Sequence, residues 1–126
     1  MRRGLIPGAA VLVTLWGGVF FAQKTPHHVF DVTARRHAFE PARLEVHVGD
    51  LVKITLHAED IPHSFVVDEY RIAKKAVPGK SVTFEFLADR VGRFVFYCNL
   101  TVDDDCRHMR GELVVAPDTA MVSGKG

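Results

Sequence analysis

The sequence predicts an all-β protein, an antiparallel β-sandwich with Greek-key connections, preceded by one N-terminal signal or anchor helix. Three observations carry this. Apolar residues alternate with polar ones at period two in several short stretches, the mark of strands with one buried face. Turn residues recur at short intervals, as in Gly49-Asp50 and Pro78-Gly79. After Ala22 no stretch shows a helical period.

The elements follow in order. Met1-Arg2-Arg3 precedes an uncharged run from Gly4 to Ala22, a basic start and an apolar segment that together read as a signal peptide or a short membrane anchor. Phe20 stands where a small residue favours cleavage, so residues 4–22 are expected to remain as an anchor with the arginine pair on the cytoplasmic side and the rest of the chain periplasmic or otherwise extracytoplasmic. Pro7, Gly8, Gly17 and Gly18 argue against a buried core helix. Residues 23–36 read as a linker and first strand. Leu44, Val46 and Val48 alternate with Arg43, Glu45 and His47; Val52, Ile54 and Leu56 alternate with Lys53, Thr55 and His57; Val82, Phe84 and Phe86 alternate with Thr83 and Glu85. The continuous run Phe94-Val95-Phe96-Tyr97 predicts a strand buried on both sides or a core strand of the sandwich. Glu112 to Val115 supplies the last strand. Residues 37–116 form the folded domain, and residues 117–126 lack pattern and read as a flexible tail.

Charge and composition exclude several classes. Sixteen basic residues stand against fifteen acidic ones, so nothing marks a nucleic-acid binder. Without residues 1–22 the chain has 14 basic and 15 acidic residues, which makes the exported part nearly neutral. No nucleophile elbow, phosphate loop, dinucleotide fingerprint or zinc-protease motif is present, and the protein is not expected to turn over a substrate.

Two segments concentrate metal ligands. Residues 59–65, EDIPHSF, place His63 just before a strand. Residues 98–109, CNLTVDDDCRHM, offer Cys98, Cys106, His108 and Met109. Thiolate, imidazole and thioether together favour copper over oxygen-seeking ions, and zinc has little use for methionine. The same two cysteines, in an oxidising compartment, could instead close a short disulfide loop contributing about 2–3 kcal/mol. Met109 could pack the core. His27, His28, His37, His47 and His57 read as surface residues, and Asp103-Asp104-Asp105 as a solvated loop or a face that steers a basic redox partner.

Four segments carry a resemblance: FEPARLEVHVGDLVKITL, IPHSFVVDEYRIAKKAVPGK, GRFVFYC and MRGELVV. Together they resemble the cupredoxin superfamily, in particular the copper-binding domain of cytochrome c oxidase subunit II, over residues 37–116. The resemblance implies a cupredoxin-like fold, copper as cofactor, single-electron transfer and a redox partner such as a c-type cytochrome or an oxidase. It matches His63, Cys98 and Met109 to copper ligands. The family's two-copper centre places a second cysteine and a second histidine where this chain has Val102 and Cys106. The expected ligand set is therefore His63, Cys98, Cys106 and Met109, with His108 available if the loop reshapes, and mononuclear copper is favoured over binuclear. Two other readings stay open: a Cu(I) storage or delivery module, and a metal-free accessory sandwich closed by a Cys98–Cys106 disulfide.

Overall fold

A computed structural model describes residues 27–100 and 104–118. The expected anchor at 1–22, Val102 and most of the tail lie outside the described residues. Among the described residues no helix is long and apolar enough to cross a membrane.

Among the described residues nine strands build two sheets: β1 (His28–Arg35), β2 (Ala38–Glu40), β3 (Arg43–His47), β4 (Leu51–Ala58), β5 (His63–Val67), β6 (Ile72–Ala76), β7 (Val82–Leu87), β8 (Gly92–Tyr97) and β9 (Arg110–Ala116). The first sheet has the order β2-β1-β4-β7 and the second β3-β9-β8-β5-β6. The sheets are mixed, which corrects the antiparallel expectation: β1 runs parallel to β4 and β3 runs parallel to β9. Alternation tells which face of a strand is buried, and it is blind to the direction of the neighbour.

The period-two strands bury most of the residues they were expected to bury, with Val48, Val82 and Phe86 partly buried against the core. Leu44, Val46, Val52, Ile54 and Leu56 are at most 1% exposed and meet in one core between the sheets. Phe65 is at its centre, stacked on Phe96 at 4.6 Å and meeting Phe39 edge-on. Such pairs add to the stabilisation from burial alone.

Two strands of the second sheet, β8 and β5, cover their outer faces differently. Of the two readings of the Phe94–Tyr97 run, the core strand of the sandwich holds and burial on both sides does not: Phe96 is buried, Val95 is 47% exposed, and the Tyr97 hydroxyl donates to Asp68 Oδ1 at 2.8 Å on the outer face. β8 shows one face to the core and the other outward. The strand buried along its whole length is β5, His63–Val67. Its inward residues Phe65 and Val67 join the core, while outward Ser64 is covered by Cys98 and Asn99.

Among the described residues two short helical turns interrupt the strands, a 3-10 turn at Asp68–Tyr70 and the single helical turn α1 at Asp104–Arg107. Four residues are too few for a helical period to appear in the sequence. Asp104 and Asp105, expected in a solvated loop, open this turn, and Asp105 lies 3.2 Å from His37 Nδ1 and 3.9 Å from Arg36 Nε.

Gly111 explains the Met-x-Gly ending. A Cβ on this residue would fall into the edge of the Phe96 ring and within 2.8 Å of the Ala42 carbonyl oxygen. Only glycine lets β9 start beside the central aromatic.

Candidate metal centre

One end of the sandwich gathers the residues expected to bind metal. β5 begins at His63, Cys98 directly follows β8, and Met109 directly precedes β9. Adjacent strands of one sheet thus bring residues 63, 98 and 109 to a common edge, and α1 adds Cys106.

His63 is fully buried. Its Nε2 lies 2.8 Å from Asp60 Oδ1, so this nitrogen carries the proton shared with the carboxylate. The other ring nitrogen, Nδ1, is the one buried side-chain nitrogen or oxygen among the described residues that lacks a hydrogen-bond partner. A buried imidazole with one nitrogen fixed by a carboxylate and a free lone pair on the other has the arrangement of a metal ligand.

Asp60 is itself held. Its Oδ2 accepts the Arg36 backbone N–H at 2.7 Å, and Oδ1 accepts the N–H of Ile61 at 2.7 Å. Partial burial pushes its pKa up, but the hydrogen bonds from Arg36, His63 and Ile61 outweigh this and hold the carboxyl at about 2. The carboxylate is therefore ionised at neutral pH.

The sulfur side is equally constrained. Cys98, Cys106 and Met109 are all buried and belong to the main core. The Ser64 N–H and hydroxyl both point at Cys98 Sγ, at 3.4 and 3.6 Å. The Leu100 N–H donates to Cys106 Sγ at 3.1 Å. Cys98 N–H donates to the Met109 carbonyl, and Met109 N–H to the Cys106 carbonyl. Cys98 and Cys106 are joined as a disulfide, with Cα atoms 5.2 Å apart. His108 is not brought to this edge. It is exposed, with Nδ1 3.1 Å from the Asp104 carbonyl oxygen.

The donor set fits copper in one redox state. With the sulfurs bonded to each other, only the His63 imidazole and the Met109 thioether remain as donors. Two-electron reduction yields two cysteine sulfurs, each already facing an N–H that stabilises negative charge on it. Imidazole, two thiolates and a thioether then suit copper.

A sandwich of two mixed sheets with histidine, cysteine and methionine at one edge defines a cupredoxin-type domain. The chain belongs to the family described as the cupredoxin-like domain, whose model matches residues 8–115. It is 32% identical over 84 residues to the cytochrome c oxidase subunit 2 of Thermostichus vulcanus, a match that covers 60% of this chain and a quarter of that protein. Among solved structures it is similar to the periplasmic domain of cytochrome oxidase subunit II (CoxB) of Bradyrhizobium japonicum, with a TM-score of 0.67 and 15% identity over 80% of this chain and 92% of that one. It is also similar to dithionite-reduced auracyanin from Roseiflexus castenholzii, with a TM-score of 0.60 and 20% identity over 74% and 100%.

Sequence reasoning identified the residues at this edge but not the carboxylate behind His63. Asp60 stands three positions before the histidine, and a carboxylate so close to a candidate ligand is the one signal in the sequence by which it could have been found.

Proposed function

We propose that this domain is a copper-binding electron carrier whose site opens when the Cys98–Cys106 disulfide is reduced. The observation that carries this is the fully buried His63, with Nε2 fixed by Asp60 and Nδ1 left without a partner. His63, Cys98, Cys106 and Met109 would hold one copper ion. Bound copper supplies one-electron chemistry by alternating between its two oxidation states. The protein contributes rigidity: strands β5, β8 and β9 hold three of the ligands, and a stiff site changes little between redox states.

Reduction of the disulfide needs a dithiol reductant, which delivers two electrons and two protons, leaves two cysteine thiols and becomes a disulfide itself. The sequence likeness to an oxidase subunit 2 supports a respiratory oxidase or a c-type cytochrome as redox partner and an extracytoplasmic location, with residues 4–22 as the membrane anchor.

The test compares reduced and oxidised protein. Chain reduced with dithiothreitol, freed of reductant and loaded with copper is expected to show a thiolate-to-copper charge-transfer band and a copper EPR signal that vanish and return on redox cycling. The disulfide form should show neither. Tight Cu(I) binding without reversible cycling would favour storage or delivery instead. A reduced chain that takes up no copper would leave the second reading, a metal-free accessory sandwich, which the disulfide itself favours.

A further inference from the structure

We propose that His28, His47 and Asp50 form a second metal site, for a divalent ion of borderline softness such as Zn2+, at the opposite end of the sandwich from His63. The placement follows from the strands. His28 opens β1, His47 closes β3 and Asp50 immediately precedes β4. Asp60 and His63 lie beyond the other end of β4, whose eight residues span about 25 Å at ~3.3 Å each.

The three residues converge. One ligand atom from each lies within 4.8 Å of the other two. His28 Nε2 is 3.0 Å from Asp50 Oδ2, and the opposite carboxylate oxygen is 3.1 Å from His27 Nδ1. Donors about 2.0–2.1 Å from a tetrahedral zinc stand about 3.3 Å from one another. Closing the triangle thus needs a shift of at most about 1.5 Å, and the exposed His47 ring can supply it by rotation.

The scaffold around Asp50 is already rigid. Gly49 adopts a left-handed φ of +95°, which lets the turn close so that Asp50 N–H donates to the His47 carbonyl at 3.1 Å and His47 N–H donates to Asp50 Oδ2 at 2.8 Å. Ala88 brackets the turn, its carbonyl accepting from Gly49 N–H and its N–H donating to the Asp50 carbonyl. His28 is oriented by its stack on Phe30, with ring planes 6° apart. The ion would take the place of the proton between His28 and Asp50, and His27 would orient the free carboxylate oxygen, the support that ligating carboxylates commonly have. Two nitrogens and one oxygen select zinc or copper(II) over magnesium or calcium. Such an ion would clip the start of β1 to the β3–β4 turn.

The experiment is calorimetric titration of the untagged full chain, disulfide intact, with Zn2+. One ion per chain is expected, with His28→Ala and His47→Ala each weakening binding at least tenfold and His57→Ala leaving it unchanged. His47 is exposed, so its loss should not disturb folding, and circular dichroism of each variant verifies this. No Zn2+ binding, binding insensitive to both ligand variants, or binding lost in His57→Ala would each overturn the proposal.

Discussion

His63 and Asp60 share one short contact, Nε2 to Oδ1 at 2.8 Å, and it leaves Nδ1 of the same ring buried without a partner. The carboxylate chooses the tautomer, and the tautomer makes the inner nitrogen a lone-pair donor. Asp60→Asn keeps the size of the side chain and loses its charge. Copper affinity of the reduced protein should fall about 10- to 100-fold, while His63→Ala should remove imidazole ligation altogether. Competition titration against a Cu(I) chelator measures both. Equal affinity in Asp60→Asn and the parent would show that the contact does not orient the ligand.

The disulfide closes a short loop, the two cysteines being eight positions apart. In the metal-free protein, reduction or Cys106→Ser should lower unfolding stability by about 2–3 kcal/mol. Urea denaturation with and without reductant measures this as a shift in midpoint. Intact mass should rise by two hydrogens on reduction; an unchanged mass would mean that the native sulfurs are not bonded.

Gly111→Ala should cost about 1–3 kcal/mol by overpacking, because the new methyl would meet the Phe96 ring and the Ala42 carbonyl oxygen. Gly79→Ala is a useful contrast: its φ of +83° makes it strained, but nothing lies within 4 Å of the added carbon. A Gly111→Ala melting temperature equal to that of the parent would contradict the packing described for β8 and β9.

Stability should also fall at alkaline pH. Burial raises the pKa of Tyr70 above its ordinary value near 10.0, and the nearby Asp89 charge adds to this against the hydrogen bond from Arg90. The folded state thus holds the phenol proton more tightly than the unfolded chain does. That contribution is complete below the unfolded value and is lost as pH climbs through the higher folded value. Tyr97 shifts in the same direction, through its hydrogen bond to Asp68. Urea midpoints measured across this range should decline less steeply in Tyr70→Phe, and an identical decline would exclude Tyr70 as a source.

Much of the fold was legible before any coordinates. The alternation at Leu44 to Val48, Val52 to Leu56 and Val82 to Phe86 located β3, β4 and β7, because a strand with one wet face must alternate. The continuous run at Phe94–Tyr97 left open whether one face or both are covered, because an apolar Val95 on an exposed face reads like a buried one when the neighbouring strands are unknown. β5 was harder for the opposite reason, since polar Ser64 hides under a loop that folds back from β8.

The ligand residues divide the same way. His63, Cys98, Cys106 and Met109 were visible as residue types in a family-like frame. Residues 28, 47 and 50 were not, because their meeting depends on β1 lying parallel to β4 and on the turn at Gly49. The sequence by itself determined the all-β class, the main buried faces and the chemical character of the soft-ligand edge, since these follow from the local order of apolar, turn and sulfur-bearing residues. Tertiary structure alone decided the parallel pairings, the nitrogen that His63 turns inward and the cluster at the far end. Each of these is a contact between residues distant in the chain or a choice among orientations, and local composition carries no record of either.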